Sequence, residues 1–220
     1  MDKYKKIYIK DFREIENVYN QLINSKLAFM IVDINGVLNV LTKEYGLFVI
    51  DSEEEFVEEY KNNKFYKTNV IYEDYDISLE ELNLFKYYIN KYKDVFCKRY
   101  YGDYIFGCVA VKTDGGYITT IRGKKNLEDY TFVKEVDHDK LTISIIGNKA
   151  ALNAPLFDYL FRNKEVKVIV QFNQVFDYKL KFYNYAFPGT VKDSKRNNVK
   201  SFNINNHGVI YLIDSDGNFL

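Results

Sequence analysis

No stretch limits the architecture of this chain more than Lys149–Gln174. Its spacing predicts a short helix opening near Pro155, a polar turn over Arg162–Glu165, and an apolar strand over Val166–Val170. The strand runs out into Gln171 and Asn173, two residues apart and therefore on one face. A buried strand that delivers two polar side chains to one face at its end is a good position for a site. Here those side chains are amides rather than strong ligands, and that conflict governs the functional reading.

The 220 residues suffice for one large α/β domain, or for a small domain with an addition. At 47% hydrophobic and 28% charged residues, the chain has ordinary globular composition. Its 31 basic residues balance 31 acidic ones, so no global field draws it to nucleic acid or to an anionic membrane. The runs Lys3–Lys6 and Lys192–Lys200 read as solvated faces. No apolar run reaches transmembrane length and Met1–Lys10 is charged throughout, so a cytoplasmic location is expected. Cys97 and Cys108 lack metal or redox spacing, and no disulfide is expected.

Asp11 caps a predicted helix with Phe12, Ile15, Val18, Tyr19, Leu22 and Ile23 on one face. Leu27–Val32 and Val37–Leu41 read as strands around Asp33-Ile34-Asn35-Gly36, where Asn-Gly is a strong hairpin signal. Gly46–Ile50 is a further strand, and Ser52–Glu55 is a capping box opening a helix through Tyr60. Asn69–Tyr72 reads as a strand. Ser78–Glu81 is a second capping box, opening a long helix that buries Leu82, Phe85, Ile89, Tyr92 and Phe96. Strands then dominate: Tyr104–Lys112 and Tyr117–Ile121 around Thr113-Asp114-Gly115-Gly116, a segment around Leu127–Val133, then Lys134–Val136 and Leu141–Ile146. Phe176–Phe187 and Val209–Ile213 complete the set, and Asp214–Gly217 is a turn. Helices among hairpin-linked strands predict an α/β or α+β sandwich around a mostly antiparallel sheet.

From about Ser78 to Ile213 the order of motifs resembles the class II aldolase/adducin family, which includes the fuculose-phosphate aldolases and ribulose-phosphate epimerases. Gly107–Lys112 is similar to the family's Gly-Asn-x-Ser-x-Arg strand, and Gly115–Gly123 to its Gly-Gly-(apolar)-Ile-Thr-Pro-Ser-Gly hairpin. Lys149–Phe157 resembles the Lys-Pro-Ser-Ser-Glu helix start, and Ile169–Asn173 the Val-Val-His-x-His strand end. Pro188-Gly189-Thr190 and Asn206-His207-Gly208-Val209 follow in order. Both prolines of the chain, Pro155 and Pro188, fall where the pattern places one. The resemblance implies α/β/α layers around a mostly antiparallel central sheet over residues 77–220, preceded by a small α/β segment over 1–76 that packs on it.

The family holds a divalent metal, typically zinc, with three histidines, and a glutamate moves the proton. Of the metal positions only His207 matches; Gln171 and Asn173 stand at the other two, and the chain has only two histidines, His138 and His207. Asn153 stands at the acid–base position, where an amide is inactive. Substrate-binding positions carried over are Gly107, Cys108, Gly123, Lys149, Gln171 and Asn173. Cys108, Ala110, Ala151 and Leu152 replace polar phosphate-binding residues. Metal, base and phosphate cradle are thus altered together. The resemblance therefore implies a pseudoenzyme without a cofactor, acting in binding or assembly. The alternative is a lyase or epimerase in sugar metabolism that works on a sugar or sugar phosphate through a rebuilt site, with zinc. A homo-oligomer is a compatible partner state; nucleic acid and membrane are not expected partners.

Each of these residues has a plainer reading. His207 reads as a surviving ligand or as a hydrogen-bonded turn residue, and Gln171 and Asn173 as pocket lining or as strand-end caps. Arg122 and Lys149 read as anion contacts or as solvated charges. His138, between Asp137 and Asp139, is expected at the surface. Phe29–Leu38 also resembles the first motif of the haloacid-dehalogenase phosphatases, with Asp33 as nucleophile, but Asn35 stands at the second acid. A hairpin accounts for the same residues.

Overall fold

The computed structural model describes residues 4–43, 46–50, 52–62, 66–96, 105, 107–172, 202–205 and 208–220. Cys97, Asn173, the expected strand Phe176–Phe187, the Pro188-Gly189-Thr190 break, Lys192–Lys200 and His207 lie outside them.

A first sheet is built from β1 (Tyr4–Ile9), β2 (Phe29–Ile34), β3 (Val37–Thr42) and β4 (Gly46–Val49), in that spatial order. β1 runs parallel to β2, and the connection between them is helical. Its start is the anticipated cap. The Asp11 carboxylate accepts from the Arg13 N–H at 2.9 Å, and the Glu14 carboxylate accepts from the Asp11 N–H at 3.1 Å. Helix α1 (Ile15–Ile23) follows and buries Ile15, Val18, Tyr19 and Leu22, while Ile23 turns 44% exposed. Asn35 and Gly36, at φ 52° and 84°, make the two-residue turn from β2 to β3. The Gly36 N–H donates to Asp33 Oδ1 at 2.8 Å, so the phosphatase-like motif is spent on a hairpin.

Helix α2 (Glu53–Lys61) starts where Ser52 Oγ accepts from the Glu55 N–H. It sets Phe56 against Phe29, Ile31 and Val40 on one face of the sheet, while α1 covers Met30, Val32 and Leu41 on the other. β1 was not anticipated: Lys5 and Lys6 interrupt its apolar alternation, and both lie exposed on an edge strand.

The second sheet has eight strands: β5 (Lys67–Val70), β6 (Cys108–Thr113), β7 (Gly116–Thr120), β8 (Tyr130–Asp137), β9 (Thr142–Ile146), β10 (Val168–Phe172), β11 (Phe202–Asn205) and β12 (Gly208–Ile213). In space the order is β11-β12-β10-β6-β7-β8-β9-β5, antiparallel throughout except for the edge pair β5–β9. Period-two alternation sends Val109 and Val111 of β6 to one face and Cys108 and Ala110 to the other.

Helix α3 (Leu79–Phe96) packs Phe85, Tyr88, Ile89 and Phe96 on the first of these faces. Its start is the expected box: Ser78 Oγ accepts from the Glu81 N–H, and the Glu81 carboxylate from the Ser78 N–H, both at 3.2 Å. Helix α4 (Ala154–Phe161) packs Leu156, Phe157, Leu160 and Phe161 on the opposite face. Each such side chain, fully buried, contributes roughly 1.5–3 kcal/mol relative to exposure. The chain is therefore mixed α/β, and its larger sheet is mostly antiparallel. Because β5 pairs with β9, the second sheet reaches back to Lys67, N-terminal to the boundary expected at residue 76. Among the described residues no helix is long and apolar enough to cross a membrane.

Candidate functional site

Three chain segments meet at one end of the second sheet. The start of β6, the turn after β7 and the lead-in to α4 are stapled together through backbone groups. The Ala151 N–H donates to the Thr120 carbonyl at 3.1 Å, the Arg122 N–H to the Lys149 carbonyl at 2.9 Å, and the Ile105 N–H to the Lys124 carbonyl at 3.0 Å. Ile121 and Ala150 form an isolated antiparallel bridge across the same junction. β10 adds a fourth element, since its register sets Gln171 opposite Cys108 of β6. Of the residues expected from the sequence, Gly107, Cys108, Gly123, Lys149, Asn153 and Gln171 all belong to these segments.

Gly107 stands at φ +97°, and a Cβ there would lie 2.4 Å from Phe96 Cδ1 and 2.9 Å from the Gln171 carbonyl. Only glycine fits between helix α3 and strand β10. Its carbonyl accepts from the Nζ of Lys124, whose side chain is turned inward and only 4% exposed. Burial lowers the Lys124 pKa from its ordinary value, a drop that the neighbouring Cys108 partly offsets. Burial likewise raises the Cys108 thiol, against smaller lowering effects from Lys124 and from the Thr120 hydroxyl that faces it. Both shifts disfavour the charged form of their group, and each group only partly offsets the other's shift.

Gln171 is 1% exposed. Asn153 is 4% exposed and precedes α4 without capping it, and its Oδ1 has no hydrogen-bond partner among the described residues. Ala110, Ala151, Ala154 and Phe157 pack with Cys108 in one apolar cluster on this face, so a phosphate would meet methyl groups and a ring there. Arg122 is half-buried, while Gly123 and Lys149 are exposed.

These groups do not fit a zinc ion. The described donors at the expected positions are carboxamides, neutral and weak toward a transition metal. Among the described residues no three of His, Cys, Asp and Glu converge. Asn173 and His207 lie outside the described residues.

Lys124 escaped the sequence reading. It sits in an irregular turn beside Lys125, where no periodicity separates an inward lysine from a solvated one. The position of His138 requires a correction. Its side chain is 12% exposed rather than at the surface, because Nε2 meets Asp158 Oδ2 at 2.8 Å and Nδ1 meets Tyr66 Oη at 2.6 Å. With the proton on Nε2, the ring donates to Asp158 and accepts from Tyr66, which ties the β8–β9 turn to α4 and to the lead into β5. The partners lie 72 and 20 residues away, beyond any local signal.

At the opposite ends of β6, β10 and β12 a cleft of about 520 Å³ is lined by Lys112, Thr113, Lys167, Asp214 and Ser215, among others. Lys112 Nζ is engaged there by the Phe161 carbonyl at the end of α4. Neither the models of known protein families nor the curated proteins return a match to this chain.

Proposed function

We propose that residues from about Ser78 to Ile213 form a degenerate relative of the class II aldolase/adducin family, a binding or assembly protein without metal-dependent aldol chemistry. The observation that carries this reading is Gln171. A buried carboxamide stands at the strand end where the resemblance places a metal histidine, flanked by Cys108 and beneath an apolar helix α4. Asn153, at the position of the proton-moving glutamate, supplies an amide oxygen and no base.

The test is metal content and turnover together. The protein, purified without chelator, is expected to carry no stoichiometric divalent ion and to leave fuculose 1-phosphate and ribulose 5-phosphate unchanged. One zinc per chain, lost in His207→Ala together with cleavage or epimerisation of either sugar phosphate, would overturn the reading and establish the enzyme alternative.

A further inference from the structure

The cleft at the Lys112 end of the second sheet takes no part in the preceding reading, and it gathers three cations. Lys112, Lys164 and Lys167 line its volume of about 520 Å³, a size that admits a small organic ligand. Two of them stand against the usual rule of strand pairing. One residue beyond the paired Val111 and Val168, the Lys112 N–H donates to the Lys167 carbonyl at 2.9 Å, so two lysines face each other across neighbouring strands. Like charges in that relation destabilise a sheet, and an anion between them removes the cost. Lys112 is also held in place, because its Nζ donates to the Phe161 and Asn163 carbonyls where helix α4 ends. Among the described residues that anchoring occupies two of the three ammonium donors. Lys164 joins from the turn that follows, which is fixed by Asn163 Oδ1 accepting from the Glu165 N–H at 3.1 Å.

Asp114, Glu165 and Asp214 share the lining without reversing its sign at Lys112. The Asp214 carboxylate is turned onto its own loop, where Oδ1 accepts from the Asp216 and Asn218 N–H groups at 2.9 and 2.8 Å. Asp114 and Glu165 are exposed. Burial lowers the Lys112 pKa, and Lys167 and then Lys164 lower it further, so the field at this ammonium is that of its two cationic neighbours.

We propose that this cleft binds a small phosphate monoester, its phosphate held by Lys112, Lys164 and Lys167. A monoester carries about −1.5 to −2 charges near neutral pH and presents three terminal oxygens, enough to meet three separate ammonium groups. A carboxylate brings one charge and two coplanar oxygens, a geometry matched by the fork of an arginine rather than by three point charges. The site lies at the opposite ends of β6 and β10 from Cys108 and Gln171. It takes no role from the aldolase resemblance, so it stands or falls separately from that reading.

The full-length protein is acetylated with and without millimolar glycerol 3-phosphate, and the rate at each lysine is followed by peptide mass spectrometry. Acetylation of Lys164 and Lys167 is expected to slow at least about fivefold by mass action of the bound ligand, while the exposed Lys125 and Lys149 keep their rates. Unchanged rates at Lys164 and Lys167 overturn the proposal, and equal slowing by succinate overturns the assignment to phosphate. Because wild-type protein is mapped, the result does not depend on any variant folding. In calorimetric titrations Lys112→Met and Lys167→Met are each expected to weaken glycerol 3-phosphate binding at least about tenfold, the loss of one charge-assisted hydrogen bond. Lys149→Met is expected to leave the affinity unchanged. Full affinity in both cleft variants contradicts the assigned role of these lysines.

Discussion

At the scale of single residues, Lys124 shows what burial does to a charge. Its amine donates to the Gly107 carbonyl, and burial holds its pKa below the ordinary lysine value of 10.5. In the unfolded chain the group titrates near 10.5, so between the lowered folded value and 10.5 the unfolded state binds more protons. Stability therefore rises with pH across that window, at about 1.4 kcal/mol per pH unit from this group alone. Below the window the full cost of burial is present. Lys124→Met is accordingly expected to be more stable than wild type at pH 7, with the gain shrinking toward zero as pH approaches 10.5. Urea denaturation of both proteins at pH 7 and pH 10 checks this. Cys108, whose raised thiol acts in the opposite sense above pH 9, loses the partly offsetting effect of Lys124 in the variant, so the comparison is read chiefly at pH 7. A variant equal to wild type at both pH values would mean that the amine finds a compensating charge.

At the scale of elements, the two short hairpins separate conformational strain from collision. In the β2–β3 turn, Gly36 stands at φ +84° with nothing within 4 Å of the place a Cβ would take, so Gly36→Ala bears only the left-handed backbone cost. That is about 1 kcal/mol. In the β6–β7 hairpin, a Cβ on Gly116 would lie 2.1 Å from the Val133 carbonyl of the adjacent strand β8. Gly116→Ala is expected to cost at least about 2 kcal/mol, because the sheet itself must shift. Paired thermal melts of the two variants read the difference directly, and equal losses would contradict it. These hairpins, together with the side-chain cap at Ser52 and the capping box at Ser78, were readable locally, since each depends on residues no more than four apart. The edge strand β1 and the His138 contacts were not, because lysines mask the alternation in the first and the second exists only after distant segments meet.

At the scale of the whole molecule, two sheets divide the chain, and no strand of one pairs with a strand of the other among the described residues. The sheets part between helix α2 and Lys67, whereas a break in helix and strand pattern suggests residue 76. A fragment beginning at residue 63 keeps β5 and its parallel pairing with β9; one beginning at residue 77 removes that strand together with Tyr66, the partner of His138. The longer fragment is expected to melt at higher temperature and to protect the amides of Thr142–Ile146 from hydrogen exchange more strongly. Equal melting and equal protection would show that β5 contributes nothing to the second sheet.

Local pattern was enough for most helices, both tight hairpins and the mostly antiparallel character of the larger sheet, because capping, turn geometry and period-two alternation act over a few residues. It also brought Gln171 forward as a candidate, through the polar end of its strand, whereas Gly107, Cys108 and Asn153 were implied only by the family resemblance. It was blind to which loop side chains point inward. That depends on the closing of the turn after β7 onto the lead-in to α4, which buries Lys124 beside Cys108 and leaves Lys125 and Lys149 in solvent. Burial of a charge is a property of the assembled environment, and no spacing along the chain encodes it.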